Sequence, residues 1–207
     1  MTVGRDGETR GAGARAARRL AVVCVVGLLS GCSVVAGPAS IDTFDLTVPD
    51  IAAPASRTRM LQVLVPEPVV DRAYDGDRLL VRPRADEIAY YAGAQWSDRL
   101  PRLVQSRLVT ALERSGRFRA AGRPGQGLAI DRQLVVEIRA FDYLSAERRV
   151  EVVLAVKTMD DRSGRVLSTH EHRAEAAVEG DGARGVVAGF DDAFGRVVAA
   201  IVAEAGR

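Results

Sequence analysis

The chain has 207 residues, 47% of them hydrophobic and 27% charged, with a formal net charge of +2. That balance suits one compact domain and excludes a disordered, collagenous or polytopic membrane protein. Residues 1–31 hold five arginines against two acids, so residues 32–207 carry a net charge of −1 and lack the basic footprint that neutralises nucleic-acid phosphates.

Residues 1–19 are rich in arginine and small residues, and an uncharged apolar run follows from Leu20 to Ser30. This is the layout of a signal peptide over residues 1–31, because a spanning helix needs about 20 apolar residues and this run has about half that. Leu29-Ser30-Gly31-Cys32 matches the bacterial lipoprotein signal. Cleavage between Gly31 and Cys32 then leaves Cys32 as the first residue, acylated with palmitate-type chains. At about 0.8 kcal/mol per buried CH₂, one such chain holds marginally and three hold durably. The plainer alternative is an unmodified Cys32 after simple cleavage. Cys24 lies inside the removed run, so the remaining 176 residues have no disulfide and depend on an ordinary core. Ser33, where aspartate would signal retention in enteric bacteria, points to the outer membrane.

Residues 32–56 are small and polar, punctuated by Pro38, Pro49 and Pro54 around the apolar island Phe44-Asp45-Leu46, and read as a lipidated tether that ends by docking on a domain over 57–207. Leu61 to Val65 alternates as a first strand, which Pro66 and Pro68 stop. Leu79 to Arg82 and Glu87 to Tyr91 predict a hairpin. Asp98 is a candidate N-cap for a helix with Pro101 in its first turn, the stripe Leu100, Leu103, Val104, Leu108, Ala111 and Leu112, and a stop at Gly116. Three strands follow. Leu134, Val136, Ile138 and Ala140 share one face of the first, Val150 to Val156 repeat the alternation, and residues 165–176 complete an antiparallel set. Val187, Phe190, Phe194, Val197 and Ile201 recur at helical spacing and predict a second long helix. The expected class is α+β, a two-layer fold with a mainly antiparallel sheet and two long helices packed on one face.

The sequence offers little that points to catalysis. His170 and His172 share a strand face, but no third ligand is evident beyond distant carboxylates such as Glu175, so neither metal nor catalytic residues are expected. Residues 180–185 spell GxGxxG between a strand and a helix. Without a following strand bearing a ribose-binding acid, they read as a helix entry rather than a dinucleotide site, and no cofactor is expected. Tyr90, Tyr91 and Trp96 cluster before the first helix, the residue types that anchor protein interfaces. Alternation sends the two tyrosines to opposite faces, and Trp96 is better explained as the residue that closes the helix onto the sheet.

The order of lipoprotein signal, Phe44-Asp45-Leu46, Leu79-Leu80-Val81-Arg82, Ile88-Ala89-Tyr90-Tyr91, Trp96, Leu100-Pro101 and an amphipathic helix resembles the ABC-type transport auxiliary lipoproteins, including PqiC/YmbA-like proteins. Leu134 to Phe141, the Ser163 to Leu167 turn and the closing helix also resemble that family. The resemblance implies a non-catalytic lipoprotein of an envelope lipid-transport system. It would act with an MCE-domain substrate-binding protein and an ABC permease and ATPase, docking their periplasmic assembly at the periplasmic face of the outer membrane. A lipid-binding carrier, with phospholipid as a partner, and a structural outer-membrane lipoprotein remain alternatives, and a homo-oligomer stays open.

Overall fold

Two runs of alternating apolar residues form the longest strands of the computed structural model, which describes residues 40–51 and 61–206. In chain order the strands are β1 (Asp42–Phe44), β2 (Gln62–Leu64), β3 (Val69–Val70), β4 (Arg78–Arg82) and β5 (Ala89–Trp96). Helix α1 (Leu100–Arg114) follows, then β6 (Ala120–Gly122), β7 (Arg132–Leu144), β8 (Arg149–Asp160), β9 (Val166–Ala177) and α2 (Gly182–Ala205). The predicted helices and the three C-terminal strands are all present. Gly31 and Cys32 lie outside the described residues.

The sheet is mixed, which corrects the mainly antiparallel expectation. β7, β8 and β9 pair antiparallel, as do β4 and β5. The other edge of β7 is shared by three short parallel strands, with β2 opposite Arg132 and Gln133, β3 opposite Glu137 and Ile138, and β4 opposite Tyr143 and Leu144. The chain from Gln62 to Arg82 thus runs beside β7 as one broken strand. Pro66 and Pro68 cannot donate to a ladder, and they separate its first two pieces. β6 adds parallel to β2, and β1 adds parallel to β5, so Phe44 stands beside Trp96. Leu46 is buried in the same core as both helices.

A bulge at Arg139 changes which residues of β7 face the helices. Ile138 pairs with Leu154 and Ala140 with Val153, leaving Arg139 unpaired. The extra residue inverts the alternation, so Leu134, Val136 and Ile138 share the helix-facing core with Phe141 and Tyr143 rather than with Ala140. Ala140, Val153 and Ala155 are buried outside that core. They stand in register with Arg173, Glu171 and Glu137, members of the ion pairs of the outer face. On the inner face α1 buries its expected stripe, while α2 buries Val186, Phe190, Phe194, Val197, Val198, Ile201 and Val202. Val187 is only partly buried, because the helix begins at Gly182 and sets Val186 inward. Among the described residues no helix is long and apolar enough to cross a membrane.

Candidate functional site

The three aromatic candidates all lie on β5, but the fold does not bring them together. Five residues of extended chain separate Tyr91 from Trp96, about 17 Å at full strand rise. Between them Gly93 takes φ +71°, the left-handed region that glycine enters freely. Its freedom lets β5 advance five residues, Tyr90 to Gln95, while β4 advances two, Leu80 to Arg78. Trp96 is 1% exposed and makes edge contacts with Phe141 at 5.9 Å and Phe190 at 5.4 Å, the latter two rings stacking at 4.8 Å. It has no surface to offer a partner and joins the sheet to α2.

Tyr90 and Tyr91 are half-buried at the other end of β5, beside Ile88, which is 47% exposed. The Arg78 guanidinium sits 3.6 Å above the Tyr90 ring, and the Tyr90 hydroxyl donates to the Ala73 carbonyl at 3.2 Å. Tyr91 meets Tyr143 at 6.5 Å. As neighbours on one strand the two tyrosines stand on opposite faces of β5, each held by contacts of its own, and with Ile88 and Arg78 they give this end of the strand residue types suited to protein contact.

Beneath it lies a polar group that linear reading missed. The Tyr74 hydroxyl donates to Asp142 Oδ1 at 2.8 Å, Arg82 Nε donates to Asp142 Oδ2 at 2.6 Å, and Arg82 Nη2 donates to the Tyr74 oxygen at 3.3 Å. Burial pushes the Tyr74 phenol up to about 12, and its hydrogen bonds to Tyr74 and Asp142 hold Arg82 more firmly in the charged form. The carboxylate sits 68 residues after the phenol. No local spacing announces the group. It fastens the turn before β4, and β4 itself, to β7.

The histidines face α2, and the carboxylate they meet is Glu204 rather than Glu175. His170 Nε2 lies 2.8 Å from Glu204 Oε1, and His172 Nε2 lies 3.2 Å from Glu204 Oε2. Glu175 belongs to the opposite strand face, paired with Arg149 and Arg173. Each imidazole engages a different oxygen, and among the described residues no group of three or more His, Cys, Asp or Glu side chains could hold a metal ion. The GxGxxG stretch is the entry to α2. A Cβ at Gly185 would stand 2.4 Å from the Glu179 carbonyl oxygen, so the glycine there serves backbone packing. Half of the residues lining a groove of about 610 Å³ between β9 and α2 are charged: Glu171, Arg173, Glu175 and Arg196.

With this geometry in place, the match to known proteins is direct. Residues 44–202 match the family model of the ABC-type transport auxiliary lipoprotein component. The chain belongs to that family. The family description makes its members lipoprotein components auxiliary to ABC-type transport. The matched span opens on the Phe44 strand residue and closes in the last turns of α2. The uncharacterized protein bll6063 of Bradyrhizobium diazoefficiens is 29% identical over 180 residues, covering 85% of this chain and 48% of that protein. The chain therefore spans about half the length of that relative. Protein XCC0632 of Xanthomonas campestris, of the DUF330 family, superposes with a TM-score of 0.69 at 26% identity, covering 77% of this chain and 92% of that one. A further uncharacterized protein shares the fold at TM-score 0.63 and 15% identity, covering 80% of this chain and 98% of that one.

Proposed function

We propose that this auxiliary lipoprotein is a non-catalytic adaptor that docks the periplasmic MCE-domain assembly of an ABC-type lipid-transport system at the outer membrane. Residues 1–31 are the removed signal, cleavage falls between Gly31 and Cys32, and Cys32 carries the lipid. Residues 32–56 are the tether, and its stretch from Asp42 to Leu46 is docked on the domain as β1 and a buried leucine. The observation that carries this reading is the family match beginning at residue 44, a dozen residues after Cys32 of the lipoprotein signal. A domain so close to its anchor works at a membrane surface. The end of β5 that carries Tyr90, Tyr91 and Ile88 is assigned to the partner, and Trp96 is withdrawn from that role by its burial.

Affinity purification from gently solubilised membranes, followed by mass spectrometry of proteins and lipids, tests the proposal. Recovery of an MCE-domain protein together with ABC permease and ATPase subunits supports it, and Tyr90→Ala with Tyr91→Ala should cut that recovery. Recovery of phospholipid alone would favour the carrier reading, and recovery of a barrel-assembly partner would favour a structural one. The charged lining of the groove between β9 and α2 speaks against the carrier, since an acyl chain needs an apolar cavity.

A further inference from the structure

An edge strand exposes a row of unpaired N–H and C=O groups that recruits another strand unless something blunts it. Two ends of this sheet are blunted by brevity, since β1 and β6 have 3 residues each. β9 is different. It runs for 12 residues, and among the described residues it pairs with β8 on one side and with no strand on the other. It contains no proline, lysine or glycine, and its register with β8 shifts only at the Val166 end.

The direction of the free groups follows from one hydrogen bond. Just past the strand the Val178 N–H donates to the Arg148 carbonyl at 2.8 Å, so the even-numbered residues from Ser168 onward, in the same register, bond to β8. The odd-numbered ones turn their N–H and C=O outward. The Glu175 carbonyl agrees, because it accepts from Arg196 Nη2 of α2 at 2.6 Å, outside the ladder. These groups open on the groove of about 610 Å³, whose lining takes the consecutive residues 171–175 of β9 and, from α2, Arg196 and Ala200. Consecutive residues of a strand point to both of its faces, so a groove that they all line runs along the strand's edge. It lies where a further strand would pair, about 4.8 Å from β9.

We infer that β9 is a self-pairing edge, through which two copies of this chain join antiparallel about a two-fold axis at His172, with Glu171 opposite Arg173 of the second copy. Charge selects both the occupant and the register. The regular part of the edge, Ser168 to Ala177, is overlapped most fully by two-fold pairs centred on His172 or on Arg173. Centring on Arg173 sets that arginine against itself and Glu171 against Glu175. Centring on His172 sets Glu171 opposite Arg173 on each side of the axis, with Thr169 opposite Glu175, so the strand is complementary to its own reversal. The side chains of Glu171 and Arg173 are 46% and 57% exposed and reach a second copy. Within one chain Glu171 meets Arg139, and Arg173 meets Glu151 and Glu175, so the new pairs extend an ionic layer already present. The Thr169 N–H of the second copy takes the Glu175 carbonyl from Arg196, which keeps Asp192 at 2.9 Å.

Sedimentation velocity of the full chain in detergent tests the pairing, with circular dichroism as the check on folding. The wild type should form a dimer. Glu171→Arg and Arg173→Glu each set like charges opposite one another on both sides of the axis, and each should weaken the dimer by about tenfold or more. Mixed in equal amounts, the two variants should recover it, because every facing pair is then of opposite sign. A wild type that stays monomeric, variants that associate as tightly as the wild type, or a mixture no tighter than either variant alone would each overturn the pairing. A monomeric chain that instead captures a strand of a different protein falls under the first of these outcomes. If either variant does not fold, oxidation decides. Thr169→Cys combined with Glu175→Cys should give more disulfide-linked dimer than the wild type, since facing Cα atoms stand about 5.5 Å apart, whereas Thr169→Cys combined with Arg173→Cys should not. Absence of the first link, or equal formation of the second, overturns the register and the pairing with it.

Discussion

Asp142 is the residue on which the most neighbouring structure depends, since it accepts from both Tyr74 and Arg82 while its own side chain is almost fully buried. Asp142→Ala leaves a partly buried guanidinium and a buried phenol without their acceptor, and should cost about 3 kcal/mol, measured as a shift in the urea unfolding midpoint. Tyr74→Phe removes two hydrogen bonds at neutral pH, the donation to Asp142 and the longer one accepted from Arg82, about 1–2 kcal/mol. Its larger signature is alkaline. The folded phenol titrates at about 12 and the unfolded one at about 10, so the unfolded chain releases its proton first. The stability this group supplies is complete below pH 10 and disappears as pH rises toward 12. Tyr74→Phe should therefore flatten that part of the alkaline loss when unfolding is compared at pH 9 and 11. Trp96→Ala should cost about 3–5 kcal/mol, because it empties the space against the stacked Phe141 and Phe190 rings. Tyr91→Ala should cost far less stability and show its effect in partner recovery, which separates the core aromatic from the surface ones.

At the scale of elements, the Arg139 bulge decides which way half of β7 faces. Deleting Arg139 would remove the extra residue while Ile138 stays opposite Leu154 and Ala140 opposite Val153, so Phe141 and Tyr143 should keep facing inward and the deletion variant should retain its near-ultraviolet circular dichroism. Gly185→Ala drives a methyl into the Glu179 carbonyl and should displace the start of α2, lowering stability by about 1–3 kcal/mol without loss of helix content. These two positions mark the limit of reading by pattern. Periodicity was enough for both helices and for β7, β8 and β9, because long elements bury a face and a buried face imposes its own repeat. It could not reveal β1, β3 or β6, which have two or three residues and are held as strands by the neighbours they pair with. Nor could it show that alternation reverses at Arg139, since a bulge leaves no compositional mark.

For the whole molecule, the decisive variant is Cys32→Ala. If lipid on Cys32 is the anchor, the variant should move from the membrane to the soluble fraction on cell fractionation, and a variant that stayed membrane-bound would refute the anchoring. The candidate contact surface was partly legible, since Tyr90 and Tyr91 stand out in a chain with few aromatics, but Arg78 and Tyr143 join them only through pairing and packing. Likewise His170 and His172 carry an obvious spacing, whereas Glu204 meets them from more than thirty residues away. The sequence by itself determined the α+β class, the two amphipathic helices, the antiparallel trio of long strands and the family, because each is written in local composition, periodicity or the order of motifs. The tertiary structure alone decided the parallel strands along β7, the seat of Trp96 against Phe190 of α2, the Tyr74–Arg82–Asp142 group and the carboxylate above the histidines. Those depend on which distant segments meet, and contacts across sixty residues are selected by the fit of whole faces rather than by any spacing along the chain.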